Sequence, residues 1–366
     1  MNSNTKKYLK YINPLEMLQT KKVLKNNPTL INKNKIDEAS VLSLYQFDEK
    51  ICVVEKEFDH KKVSDHLFSK GKNYWLNSDI INKNTVEEIS AKLDLHYLIV
   101  EDILSENERP KTDEIDGRFV CVLHMLFYNE ELKSIENEQV SFVLGDNFLI
   151  SFQDDSIRDS FNPIREKLVL NGTKIRTQGV DYLLYGLIDS IVDHFFIVLE
   201  KLGDRIEQLE EDISTGNATN FTMNQINTLK KELMFFKRNA FPVKDLIANI
   251  IKTENPLITE NSKKYFKDVY DHAVQVNDLI ENYRDLITNI RDLYLSQMNM
   301  KMNEVMKFLA IVTSLLAPAT VIGGIFGMNF DRIPYLHHQD GFWIATFLML
   351  IVPVIMLIYF RKKGWF

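Results

Sequence analysis

The chain has 366 residues, 26 % of them charged and 45 % apolar, with a net charge of −7. This mixture describes a folded protein with a sizeable core, and the negative balance excludes a nucleic-acid binder that works by neutralising phosphates. The two cysteines, Cys52 and Cys121, lie far apart without Cys-x-x-Cys or Cys/His spacing, which fits buried small hydrophobes in a reducing compartment and excludes a thiolate zinc site.

Residues 1–38 read as a loosely ordered polar tail rich in Lys and Asn. Its opening, Met1 to Lys7, has no apolar core resembling a signal peptide, so the N-terminal portion is expected to stay in the cytoplasm. Residues 39–178 read as an α/β domain. Runs such as Ile51 to Val54, Phe119 to Leu123, Val140 to Leu144 and Phe148 to Phe152 have strand composition, and Gly145-Asp146-Asn147 suits a hairpin turn. Thr85-Val86-Glu87-Glu88 offers a capping box for a helix ending near Leu93, and Tyr97 to Leu104 reads as another helix.

Helical periodicity takes over beyond Gly179. Val180 to Ser214 and Thr222 to Lys252 form an expected helical hairpin within residues 179–255, with Gly216-Asn217 at the turn. Glu200, Asp204, Glu207, Glu210, Glu211 and Asp212 make its tip acidic, either as a solvated face or as a partner for the basic Arg361-Lys362-Lys363. Residues 256–307 read as a stalk. No proline falls between Pro256 and Pro318, so one helix from near Ser262 can run unbroken into the first apolar run, spanning roughly 100 Å at about 1.5 Å per residue.

Two apolar runs end the chain, residues 308–329 and 342–366, the second closing on a basic C-terminus. Each has about the length that a bilayer core requires. Residues 330–341 between them form a short polar loop. Lys301 and Lys307 precede the first run and Arg361, Lys362 and Lys363 follow the second, so the positive-inside rule puts both termini in the cytoplasm and the loop outside.

The stalk carries a polar stripe. Heptads counted from Asp271 give Asp278, Asp285, Asp292, Asn299, Met306, Thr313, Thr320 and Gly327; the companion position gives Gln275, Asn282, Asn289, Ser296, Asn303, Ala310, Ala317 and Gly324. A coiled coil that buried these positions would need apolar residues there. In the cytoplasmic part the stripe is either the wet face of an amphipathic helix or one wall of a polar path. Within the bilayer, tight helix packing through Gly323-x-x-x-Gly327 competes with a water-filled path for cations. A straight helix drifts about 20° per heptad, so the stripe stays aligned only if several such helices twist about one axis.

Gly327-Met328-Asn329 at the end of the first of two C-terminal spans, Glu304 to Lys307 opening that span, and Lys362 to Phe366 ending the chain resemble the CorA family of magnesium channels. The resemblance extends to Tyr265 to His272 and to Glu101-Asp102-Ile103-Leu104 followed by Arg109-Pro110-Lys111. It implies a funnel-shaped homopentamer with an α/β cytoplasmic domain, a long helical stalk and two transmembrane helices in the cell membrane, the first span lining one pore. Gly327, Met328 and Asn329 would form the selectivity filter. Thr320, Ala317, Thr313, Leu309, Met306, Asn303 and Asp292 would line the pore, with Met306 and Leu309 at the apolar gate. Asp102 and Asp268 would hold regulatory Mg2+ between neighbouring subunits, and Asp331 and Asp340 would be the acids of the external loop.

The chemistry of the motif agrees with this reading. Mg2+ sheds water reluctantly, so a ring of neutral Asn329 carboxamides suits the hydrated ion; Asn329 can also cap the helix. Three positions depart from the family pattern: Phe326 stands where Tyr is common, Tyr335 follows Ile333-Pro334 where a glutamate is common, and Ala317 replaces a bulky Met. The expected function is passive Mg2+ influx, driven by about 2.3 kcal/mol per charge per 100 mV and needing no ATP, for which no phosphate-binding loop is present. The alternatives are transport of Co2+, Ni2+ or Zn2+ by the same fold, with Met328 and the paired His337 and His338 bearing on ion choice, or a membrane-anchored Mg2+ sensor or scaffold that conducts nothing. No enzymatic role is expected, since no nucleophile is paired with a base.

Overall fold

The computed structural model describes residues 41–64, 67–68, 71–105, 108–153, 160–216, 221–329, 333–334 and 339–365. The N-terminal tail, Asp331, His337 and His338 therefore lie outside the described residues. The described residues divide into two compact units. The first comprises residues up to Ile206 together with Thr228–Asp285; the second comprises Glu207–Asn227 and Leu286–Phe366.

The first unit is built on a seven-stranded sheet. Its strands are β1 (Leu42–Phe47), β2 (Cys52–Lys56), β3 (Asn73–Ser78), β4 (Lys111–Ile115), β5 (Arg118–Asn129), β6 (Ser134–Leu144) and β7 (Phe148–Phe152), in the spatial order β2-β1-β3-β7-β6-β5-β4. Only the β3–β7 pair is parallel. Tight turns fix the antiparallel registers. Asp116 and Gly117 both take positive φ (50° and 71°) between Ile115 and its partner Arg118, which gives the twist a two-residue hairpin needs. Between β6 and β7 the Gly145 N–H donates to the Phe148 carbonyl at 2.9 Å, the hairpin expected at Gly145-Asp146-Asn147.

Strands β5, β6 and β7 are longer or more deeply buried than their sequence runs suggest, because helices cover both faces. On one face, α1 (Lys83–Lys92) and α2 (Tyr97–Leu104) seat Val86, Ile89, Ile99 and Ile103 against Leu44, Leu76, Val120 and Ile150. Helix α1 starts earlier than the expected capping box: the Asn82 carboxamide oxygen accepts the Asn84 and Thr85 N–H groups at 2.9 and 3.3 Å. On the other face lie α3 (Asn162–Val169), the short α4 (Lys174–Thr177) and the first part of α5 (Val180–Ser214). There Phe161 meets Phe142 with ring centroids 6.2 Å apart, and the His194 ring meets Phe127 at 5.3 Å.

The helical hairpin has the expected bounds, α5 (Val180–Ser214) and α6 (Thr222–Lys252), and the stalk and first apolar run are one helix, α7 (Glu260–Phe326). The compact units divide differently from the sequence segments. Most of the hairpin and the first part of α7 belong with the sheet, because these helices share one core. Phe266, Val269, Ala273, Val276 and Ile280 recur at alternating steps of three and four and are all buried, as a packed helical seam requires. Gly203 permits the close approach of α5 to α7: a Cβ there would come within 2.5 Å of the Tyr283 hydroxyl.

In the second unit, α7 continues to Phe326 and α8 spans Gly341–Lys362. The two run antiparallel: Lys307 Nζ reaches the Gly364 carbonyl at 3.4 Å, while a Cβ on Gly323 would touch Met349 at 3.6 Å. Among the described residues, three helices are long and apolar enough to cross a membrane. The apolar window of α5 is 56 % buried inside the fold, against 6 % for the windows of α7 and α8. The first is therefore a core helix, and the other two present large apolar surfaces such as Phe308, Leu316, Phe347 and Ile355 that need a nonaqueous environment.

Candidate functional site

Every residue of the double stripe on α7, from Asp271 to Gly327 and from Gln275 to Gly324, is exposed. The buried residues of the same helix, among them Ile287, Ile290, Tyr294 and Ile311, fall on other positions. Along Glu260–Tyr294 the stripe is thus distinct from the packed surface; beyond Tyr294 the stripe stays exposed together with most of the helix. Met306 and Leu309 are 53 % and 57 % exposed, so the one-residue offset of Leu309 does not turn it into packing.

The membrane end of the stripe has oxygen chemistry of one kind. Thr313 and Thr320 donate their hydroxyl hydrogens to the carbonyls of Leu309 and Leu316 at 2.8 and 3.0 Å, leaving lone pairs on the exposed oxygens. Such oxygens accept hydrogen bonds from the water of a hydrated cation. Gly323 faces α8 through Met349, whereas a Cβ on Gly324 would meet nothing within 4 Å. Within the protomer, then, Gly323 faces the neighbouring helix and Gly324 faces open space. Ala317, beside them, is exposed as well.

At the end of α7 the Gly327 N–H donates to Gly323 O at 2.9 Å and the Met328 N–H to Ile325 O at 3.3 Å, closing the helix. Asn329 follows, exposed, and its carboxamide has no hydrogen-bond partner among the described residues. A side-chain cap is therefore not its role in the protomer. Asp340 stands at the start of α8. At the other end of the stripe, Asn303 is exposed and Asp292 accepts from the adjacent Arg291 guanidinium at 3.1 and 3.2 Å, an exposed pair that mutes its charge only weakly.

Within the protomer, the acids of the first unit have contrasting surroundings. Asp102 is bound to Lys111 at 2.9 Å, and Lys111 also faces Asp113 at 3.3 Å and Glu108 at 3.5 Å. Burial works against the Lys111 ammonium, but Asp102 and Asp113 hold it well above its usual range. Asp268 is exposed on α7 and forms no cluster with Asp102 within the protomer. Asp189, Asp193 and His272 do converge: among the described residues they are the one group of at least three such side chains with ligand atoms within 4.8 Å of one another. Burial, with Asp193 and Asp268 nearby, pushes the Asp189 carboxyl up to about 6 against the opposing pull of His272. One Asp189 oxygen and His272 Nδ1 are buried without a hydrogen-bond partner, and Tyr185 Oη lies 3.5 Å from the other oxygen. Asp193, exposed, stands 3.8 Å from that same His272 nitrogen, and two carboxylates and an imidazole so placed fit a divalent cation.

Comparison with known proteins agrees with this geometry. Residues 70–362 match the family model described as CorA-like Mg2+ transporter protein. The chain belongs to the CorA-like Mg2+ transporter family. The cobalt/magnesium transport protein CorA of Thermotoga maritima is 37 % identical over 292 residues, covering 80 % of this chain and 83 % of its own. Among solved structures, the complete CorA magnesium transporter of Methanocaldococcus jannaschii has the same fold, with a TM-score of 0.73 at 24 % identity over 88 % of this chain and 98 % of its own. The full-length CmaX protein gives 0.71 at 17 % identity over 90 % and 99 %. CorA-family proteins are transporters rather than enzymes.

Sequence reasoning missed the Asp189–Asp193–His272 group. Asp189 and Asp193 stand four residues apart on α5, and Asp268 and His272 four apart on α7, each pair therefore on one helix face. That spacing was the available signal. It joins two helices nearly eighty residues apart only once their packing is known.

Proposed function

We propose that the chain is a divalent-cation channel for passive Mg2+ influx across the cell membrane, working as a homopentamer with both termini in the cytoplasm. The observation that carries this is the stripe on α7, uncovered along its whole length in the protomer, polar where the helix is cytoplasmic and lined by Thr, Ala and Gly where it is apolar elsewhere. A bundle of copies around one axis would turn that stripe inward and give it a use. The antiparallel α7–α8 pair brings Lys307 beside Gly364, so the basic flanks share one end, in keeping with two spans and a cytoplasmic C-terminus.

In this reading the Asn329 carboxamides, without a partner among the described residues, contact the hydrated ion at the outer mouth beside Gly327 and Met328. Thr320 and Thr313 present hydroxyl oxygens below, past the small Ala317 and Gly324. Met306 and Leu309 form the apolar constriction that opens or closes conduction, and Asn303 and Asp292 draw the cation toward the cytoplasm. Asp340, and Asp331 outside the described residues, supply negative charge to the loop.

Intracellular Mg2+ would close the channel by binding acids that otherwise repel. Asp268 lies beside the Asp189–Asp193–His272 group, and Asp102 offers its carboxylate from α2 once it shares Lys111. A bound divalent ion supplies positive charge that neutralises these acids. Ligand bound only to the closed state stabilises that state, so falling internal Mg2+ favours opening. The imidazole of His272 gives Co2+ and Ni2+ a nitrogen donor that Mg2+ uses poorly, which supports transition-metal sensing at the same place. Relatives that carry both metals in their names are consistent with shared Mg2+ and Co2+ transport.

Purified protein reconstituted in liposomes with a trapped Mg2+ dye tests this reading. Mg2+ uptake by the wild type at low internal Mg2+, reduced to a few per cent in Asn329→Ala and blocked competitively by Co2+, is expected. Assembled protein that admits no Mg2+ would favour a sensor or scaffold, and Zn2+ uptake without Mg2+ uptake would favour a zinc transporter.

A further inference from the structure

A pocket in the first unit lies apart from both the stripe and the acidic group. Its volume is about 450 Å3, within the roughly 300–1,000 Å3 of small-molecule sites, and it is walled by the segment before β4, by β5 and β6, and by α6. Arg109 and Arg238 stand at its rim, both exposed and neither held in an ion pair or hydrogen bond among the described residues. The other charges there are already satisfied. Lys237 is bound to Glu281, and Glu108 faces Lys111 at 3.5 Å. Two unneutralised guanidinium groups converging on one cavity suit a phosphate or other oxyanion, which they can grip with paired N–H groups.

The floor of the pocket holds a second, independent sign of a ligand. His124 on β5 is 2 % exposed, and both its ring nitrogens are buried without a hydrogen-bond partner. Buried polar groups are nearly always paired, so two orphans on one ring call for an occupant. Burial, helped by Arg238, pushes the His124 imidazole down to about 4, so it is neutral at cellular pH and offers one N–H and one acceptor nitrogen. An anion alone would not need both. The exposed ring of Phe235, also in the pocket wall, gives a planar group a surface to stack on.

We propose that this pocket binds a small phosphorylated ligand carrying a planar, hydrogen-bonding ring, of mononucleotide size, with its phosphate between Arg109 and Arg238 and its ring polar groups on His124. Such a ligand would touch β5, β6 and α6 together. The site does not depend on the ion pathway, and its test reads binding alone.

Equilibrium dialysis of labelled AMP against the full-length detergent-solubilised protein, in EDTA so that metal chelation plays no part, measures this directly. Saturable binding of one AMP per chain is expected, weakened about tenfold or more by Arg238→Gln and by Arg109→Gln, as loss of one charge-assisted contact implies. Both arginines are exposed, so these variants should keep the wild-type melting temperature. His124→Leu should weaken AMP but leave inorganic phosphate binding unchanged, a split that misfolding would not produce. Absence of saturable AMP binding, AMP binding indifferent to both arginines, or phosphate binding as tightly as AMP would overturn the proposal.

Discussion

Helix α7 passes through two settings with one stripe. Along Glu260–Asp285 its apolar face is a packed seam, with Phe266, Val269, Ala273, Val276 and Ile280 all buried. From Phe308 to Phe326 only Ile311 of the apolar residues is buried, and Phe308 and Leu316 are exposed at 62 % and 61 %. The polar or small stripe does not change with them and stays uncovered in both stretches. A stripe that merely filled the remainder of an amphipathic helix should turn apolar where the surroundings do; its persistence means that the stripe answers to its own requirement.

The glycines give the widest split between surfaces of the membrane stretch. Gly324→Leu puts a side chain into open space in the protomer, so it should leave folding intact and reduce Mg2+ uptake to a few per cent by filling the axis, checked by liposome flux on assembled protein. Gly323→Leu would drive into Met349 and should lower the melting temperature instead. Equal behaviour of the two variants would erase the distinction between stripe and packed face. Next comes the contrast along the helix. Phe266→Ala should cost about 3–5 kcal/mol as a buried aromatic, whereas Leu316→Ala should cost within about 0.5 kcal/mol as an exposed one, measured by thermal unfolding in detergent. Thr320→Val removes a stripe oxygen at constant shape and should slow uptake several-fold with no change in melting temperature. Asp189→Asn has the smallest effect, raising the internal Mg2+ needed for half-closure a few-fold while leaving maximal uptake intact, as read from flux against trapped Mg2+.

Much of this was legible in the sequence because the signals are local. Helix α7 follows from a stretch without proline, the hairpin helices from their period, and the apolar spans from length. The Gly327-Met328-Asn329 motif and the heptad stripe are likewise strings of residues on one element. Strands β1, β3 and β4 were less legible: β3, Asn73–Ser78, includes Asn77 and Ser78, whose burial depends on contacts from distant segments, such as the Ser151 hydroxyl donating to Asn77 at 2.5 Å. The Asn82 cap was hidden because the nearby Thr85 pattern imitated one. Asp189, Asp193 and His272 come together only through the packing of α5 on α7, and the engagement of Asp102 by Lys111 likewise depends on how β4 sits beside α2.

If the stripe of α7 lines a water-filled path, the other exposed residues of its apolar span face lipid, and the two surfaces should differ in their access to water-borne reagents. In a background of Cys52→Ser and Cys121→Ala, single cysteines at Thr320 and at Val321 would be challenged from outside with a charged thiol reagent while Mg2+ uptake is followed in liposomes. Rapid block is expected at Thr320→Cys, slowed by external Mg2+, with no effect at Val321→Cys; block at Val321→Cys with Thr320→Cys untouched would show that the stripe does not line the path.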